Sequence, residues 1–96
     1  MGMTFSIIYH PEVVSVDIPA LPKRERTRIQ EAIIQKLGSV PDAFGKPLRK
    51  SLKGYRRLRV GDYRVVFRID GQRVIIFMIA HRSVVYGTLI IKRILW

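Results

Sequence analysis

Tyr55-Arg-Arg-Leu-Arg-Val-Gly-Asp-Tyr-Arg-Val-Val-Phe67 is the stretch from which the fold is read. Two β-rich runs flank Gly61-Asp62, a dipeptide suited to a two-residue hairpin turn. With those two residues as the turn, Val60 faces Tyr63, Arg59 faces Arg64, Leu58 faces Val65 and Arg57 faces Val66. Side chains alternate along a strand, so the pairs sort onto two faces. Leu58, Val60, Tyr63, Val65, Phe67 and Arg56 share one, which is expected to be core. Tyr55, Arg57, Arg59, Arg64, Val66 and Arg68 share the other, an arginine cluster. A bulge or a longer loop at Gly61 would move residues between these faces.

Downstream, Arg73 to Ala80 forms a third β-rich run after the turn signal Asp70-Gly71, completing a three-stranded meander. Upstream, Gly38 to Gly54 holds three glycines, two prolines and four basic residues, and reads as a long loop with one turn of order around Leu48 to Leu52. Before it, Ile29, Ala32, Ile33 and Leu37 recur at helical spacing after Pro22, and Gly38 supplies the stop, which predicts an amphipathic helix from Lys23 to Leu37. His10-Pro11-Glu12 marks an earlier helix start, and the valine-rich segment Val13 to Ile18 ends at Pro19, so that helix is short. Met3 to Tyr9 reads as a first strand. The expectation is a single α+β domain over 1–96: a small antiparallel sheet, made of the N-terminal strand plus the C-terminal three-stranded meander, packed on one or two N-terminal helices. The apolar tail from Leu89 to Trp96 either packs on the core or offers a docking strip to a partner.

Charge narrows the function. The net charge is +11, from 18 Lys and Arg against 7 Asp and Glu. Residues 1–42 hold five basic and five acidic side chains, so the excess sits wholly after residue 42, where thirteen basic side chains meet only Asp62 and Asp70. Such a field attracts polyanions, nucleic acid above all. An anionic membrane surface is the competing partner, without an amphipathic basic helix to support it. Val74 to Ala80 and Thr88 to Ile91 are the longest apolar stretches, far short of the roughly 20 residues that cross a bilayer. No leader pattern opens the chain and it has no cysteine, so a mature, soluble protein of the cytoplasm is expected, without disulfides, thiolate nucleophiles or cysteine-held zinc. The two histidines have no clustered ligand partners, no glycine-rich loop precedes a helix and no serine sits in a nucleophile motif, so neither metal nor cofactor is expected.

Arg59 directly opposite Arg64 is a like-charge pair, with no acid inside the three runs to relieve it. Either the arginines spread into solvent, or a polyanion neutralises them, since guanidinium forks match phosphate oxygens.

The run Tyr55 to Phe67, followed by Ile79-Ala-His81-Arg82 and Tyr86, resembles the RelE/ParE superfamily of bacterial and archaeal toxins. Tyr9-His-Pro-Glu12, Leu21-Pro22 and the helix to Leu37 are similar to its first strand and helical hairpin, so the likeness covers roughly residues 4–87. The resemblance implies a microbial RNase-like RelE fold and a toxin held by a cognate, RelB-like antitoxin in a hetero-oligomer. RelE-type members cut messenger RNA on the ribosome by directing a 2′-hydroxyl onto the adjacent phosphate. Carried over by position, their site residues are Arg57 and Arg59, then Arg64, then Arg82 and Tyr86. Lys50, Lys53, Arg56 and Arg68, from the basic half of the chain, are expected as further RNA-binding positions. The family often has lysine where Arg57 and Arg59 stand, and a guanidinium with a pKa above about 12 accepts no proton. That leaves His81 and Tyr86 as candidates for proton transfer, His81 being chemically the easier base. For His81 the alternative is ending a strand and ordering the next loop, and for Tyr86 it is packing at the sheet edge. A ParE-type inhibitor of DNA gyrase, with the same fold and no nuclease site, is the alternative function.

Overall fold

The computed structural model describes residues 4–39, 41–43, 46–47, 54–84 and 86–94. The hairpin has the expected register: β3 (Tyr55–Val60) and β4 (Tyr63–Asp70) are antiparallel, with Val60 opposite Tyr63, Arg59 opposite Arg64 and Leu58 opposite Val65. Gly61 takes φ 59°, the left-handed value that a two-residue turn of this kind demands at its first position. β5 (Arg73–His81) returns antiparallel to β4, and Asp70 pairs with Arg73, so the second turn is Gly71-Gln72.

Two more strands complete the sheet, β1 (Ser6–Tyr9) and β2 (Lys46–Pro47), in the order β1-β5-β4-β3-β2. The meander and the N-terminal strand are as expected, but β1 lies parallel to β5, which corrects a wholly antiparallel sheet. The helices explain the direction. They leave from the end of β1 and bring the chain back beside its start, where the Phe5 N–H donates to the Gly38 carbonyl at 2.9 Å. The meander therefore begins from the same end of the sheet as β1, and its first and third strands run the same way as β1.

The first helical segment spans residues 11–20. The Nδ1 atom of His10 accepts the Glu12 N–H at 3.1 Å, satisfying one of the free amides at the helix start, and Pro11 has no amide to satisfy. Its middle, Val13–Asp17, is a widened turn of the π type, and its last turn, Ile18–Ala20 (α1), contains Pro19 and ends at an extended Leu21. The second helix, α2, is regular over Lys23–Ala32 and also widens at the end, over Ile33–Leu37. Both segments bury every fourth residue: Val13 and Asp17 in one, with Leu21 just past its end, and Ile29, Ile33 and Leu37 in the other. In an ideal α-helix a strict four-residue repeat drifts by about 40° per step. A turn closed by an i→i−5 bond rotates less per residue and takes up that drift, which keeps each stripe on the sheet.

These stripes pack against Leu58, Val60, Val65, Phe67, Val74, Ile76 and Ile79 on one face of the sheet. The opposite face carries a second helix layer, in place of the one-sided packing expected from the sequence. α3 (Tyr86–Ile94) buries Ile90 against Val66 and Met78, with Ile94 partly buried beside them. As far as Ile94 the tail therefore packs as a helix on the arginine side of the sheet, while Leu89 and Ile91 stay exposed.

The two helix layers meet around the edge of β5. Beyond Tyr9 no β1 residue pairs with β5, so the Ile79 N–H needs another acceptor. Asp17 provides it: Oδ2 accepts that N–H at 2.9 Å, and both carboxylate oxygens accept from the Arg93 guanidinium, at 2.7 and 3.2 Å. Arg93 also donates to the Phe77 carbonyl at 3.0 Å and pairs with Glu12 at 3.1 Å. Only 8 % of the Asp17 side chain and 10 % of the Arg93 side chain is exposed. Removing one member of a buried pair strands the other, whereas an exposed pair contributes little. Asp17→Asn is therefore expected to lower the unfolding free energy by about 3 kcal/mol. Asp70→Asn, which breaks the exposed 2.7 Å pair with Arg73, is expected to change it by less than about 1 kcal/mol. Urea unfolding of the two variants checks the contrast, and equal effects would remove the edge clasp as a determinant of stability.

Candidate nucleic-acid interface

β3 and β4 bring Arg57, Arg59 and Arg64 onto one face, because positions 57 and 59 alternate together and 64 lies opposite 59. The like-charge contact is relieved by direction. Arg64 Nη1 donates to the carbonyls of Gly61 and Tyr63, at 3.2 and 3.0 Å, which draws that guanidinium to the turn and away from Arg59. Arg57 and Arg64 are half-buried and Arg59 is exposed. Arg68 shares the face but lies beyond Val66, with its guanidinium 5.7 Å from the Tyr55 ring centre. Arg56 falls opposite Phe67 and so on the other face, apart from the cluster.

Arg82 joins from the loop after β5. Its N–H donates to the Asp62 carbonyl at 2.7 Å, which fixes the backbone beside the hairpin turn. Its side chain stands 3.7 Å from the Asp62 carboxylate with both groups mostly exposed, a weak tether that an incoming anion can replace. Arg64 and Arg82 are thus held at one turn by backbone contacts, which leaves their charge available to an anion.

His81 is not brought to this cluster. Val66 pairs with Met78 but Phe67 pairs with Ile76, so β5 carries one extra residue, Phe77, in a bulge. The extra residue reverses the alternation beyond it: Ala80 lies opposite Arg64, and His81 lies opposite Tyr63 on the face covered by α2. There the His81 ring meets Tyr63 edge-on at 5.4 Å. Its Nδ1 accepts the Ser83 N–H at 3.1 Å and contacts the Ser83 hydroxyl at 2.8 Å. His81 shapes the turn that carries Arg82. Tyr86 is the first residue of α3, and its side chain, like Lys50, Lys53 and the turn expected at Leu48 to Leu52, lies outside the described residues.

Among the described residues no group of three or more His, Asp or Glu side chains is placed to hold a metal ion, and no helix is long and apolar enough to cross a membrane. The arrangement is a set of fixed cations beside an apolar floor of Val66, Met78 and Ala80, suited to holding a phosphodiester rather than to supplying a base.

Residues 15–86 match the ParE toxin family of type II toxin–antitoxin systems, parDE. A Mycobacterium tuberculosis protein named Toxin RelE is 39% identical over 83 residues, covering 81% of this chain and 86% of that protein. Toxin RelG of the same organism is 36% identical over 72 residues, covering 73% and 83%. Among solved structures, the toxin–antitoxin complex RelBE2 from Mycobacterium tuberculosis contains a chain that superposes with a TM-score of 0.77 at 30% identity, over 85% of this chain and 95% of that one. The RelB–RelE antitoxin–toxin complex from Methanococcus jannaschii gives a TM-score of 0.64 at 24% identity, over 83% and 95%, a likeness of fold.

Three or four arginines that neutralise phosphates release as many counterions, so the logarithm of the affinity for single-stranded RNA is expected to fall with the logarithm of salt at a slope of about −2 to −3. Fluorescence anisotropy between low and physiological salt measures it. A flat response would remove the arginine face as a polyanion site.

Proposed function

The chain belongs to the ParE toxin family of type II toxin–antitoxin systems, and from that premise we propose that it is a cytoplasmic, ribosome-dependent endoribonuclease that cuts messenger RNA through 2′-hydroxyl attack. The observation that carries the reading is the placement of Arg57, Arg59 and Arg64 on one face, with Arg82 anchored at the same turn. In the proposed reaction the 2′-oxygen forms a bond to phosphorus while the bond to the 5′-oxygen breaks, leaving a 2′,3′-cyclic phosphate and a 5′-hydroxyl. Charge builds on the non-bridging oxygens along this path. Arg64, whose guanidinium is held by turn carbonyls, and Arg82, whose backbone is fixed at the same turn and whose side chain exchanges the weak Asp62 tether for the anion, meet that charge. Arg57 and Arg59 neutralise the strand on either side, with Arg68 further along the same face.

Proton transfer falls to Tyr86 in this reading, since His81 is turned to the other face and engaged by Ser83. The proposed partner is a RelB-like antitoxin, supported by the RelBE2 complex among the structural neighbours. An acidic segment of it is expected to cover or displace the four arginines, forming a hetero-oligomer. The match to the ParE family also supports a second reading, a gyrase inhibitor without nuclease activity.

Arg64→Ala and Arg82→Ala are each expected to slow cleavage by on the order of 10²–10³ while the protein still folds, because loss of one preorganised donor costs about that much. Tyr86→Phe is expected to slow it more than His81→Gln. Mapping RNA ends after brief induction, together with single-turnover rates on programmed ribosomes, checks all four. Induced cells with intact messenger RNA and broken chromosomal DNA would instead establish the gyrase reading.

A further inference from the structure

The turn at Gly61-Asp62 receives a third guanidinium, from the helix layer. Arg28 lies on α2, in the half of the chain whose charges cancel, yet its head group rests directly on Gly61. A Cβ built on Gly61 would stand 2.8 Å from Arg28 Nη1 and 3.2 Å from Cζ, so the close approach exists because this position has no side chain. The left-handed φ of 59° reserves the position for glycine on independent grounds.

Arg28 is exposed, and among the described residues it makes no ion pair and no hydrogen bond. Glu25 and Glu31 sit three residues to either side on the same helix, and neither pairs with it. The one carboxylate at the turn, Asp62, leans towards Arg82. A guanidinium parked without an acceptor, at the turn that also holds the Arg64 head group and the loosely tethered Arg82, sits in a region of strong positive potential. Arg64 reaches the turn from the open face of the sheet, and Arg28 reaches it from the opposite, helix-covered side. The positive surface therefore wraps round the tip of the hairpin instead of ending at its face.

We propose that Arg28 is an RNA-binding residue that contacts a phosphate neighbouring the one held by Arg64 and Arg82, so that the bound strand passes over the hairpin tip. This rests on the ribonuclease reading given above. Arg28 takes no part in the bond changes, so its contribution is to the affinity for the strand and not to the rate of the chemical step.

The test compares the unsubstituted protein with Arg28→Ala, Arg28→Lys and Arg73→Ala. Arg73→Ala removes the same charge from the far end of the sheet, at the Gly71-Gln72 turn. The probe for binding is a fluorescent single-stranded RNA with 2′-O-methyl groups, which cannot be cut by attack of its 2′-oxygen. Arg28→Ala is expected to weaken binding about 3- to 10-fold and to reduce the salt slope by about 0.7, the loss of one phosphate contact on a single strand. In cleavage on programmed ribosomes it should raise KM by a similar factor and leave kcat within about twofold. Arg28→Lys should recover most of the affinity, and Arg73→Ala should leave affinity and slope as they were. An unchanged affinity and slope in Arg28→Ala would overturn the proposal, as would equal losses in Arg28→Ala and Arg73→Ala, which signify bulk charge alone. A fall in kcat at constant KM would also overturn it. If the unsubstituted protein cuts no messenger RNA on programmed ribosomes, the ribonuclease reading falls first and this assignment with it.

Discussion

The Asp17 carboxylate is the point at which the three layers of this protein are joined. It accepts the N–H that β5 presents beyond the reach of β1, and it neutralises a guanidinium that belongs to the helix on the other side of the sheet. Among its described side chains α3 buries one fully, Ile90, and a helix of nine residues has little stability of its own. Its position therefore depends on Arg93 finding Asp17. The widened turn over Val13–Asp17 is what aims that carboxylate inward on the same stripe as Val13. A local irregularity of the first helical segment thus determines where the last helix lies.

The open face of the sheet serves two incompatible neighbours, and the strand register separates them. Val66 and Met78 form the apolar floor under α3, while Arg57, Arg59 and Arg64 are displaced towards β3 and the hairpin tip. An apolar helix and a polyanion can then share one face of a small sheet. The cost of crowding cations on neighbouring strands is offset locally, since Arg64 spends its donors on turn carbonyls and Arg68 lies over an aromatic ring.

The hairpin was legible in the sequence because Gly61-Asp62 fixes the register and every pairing from Tyr55 to Arg68 follows by alternation. The Lys23 to Leu37 helix was legible from its spacing. The side of the sheet on which His81 lies was not, because the run Arg73 to Ala80 is almost continuously apolar and gives no sign that Phe77 is an inserted residue. Without the bulge His81 would stand on the arginine face. The direction of β1 was also hidden, since it depends on where two helices return the chain. α3 has no local signal because Leu89-Ile-Ile reads as strand or tail, and only the Arg93 contact across the molecule identifies its helical partner. The approach of Arg28 to Gly61 joins a helix to a turn far along the chain, and no local pattern signals it.

Two contacts link opposite ends of the sequence: β1 pairs with β5, and Asp17 meets Arg93 at a separation of 76 residues. During synthesis the hairpin with its arginines precedes both contacts, the first by a few residues and the second by more than twenty. β1 can pair only once β5 has followed the hairpin, and the second helix layer is clasped only once Arg93 can reach Asp17. Folding of such a topology is governed by these long closures. The strands that carry the basic face are thus local in sequence, while the clasp that secures the last helix is not, so the arginine face and the edge that braces it are set by closures of very different length.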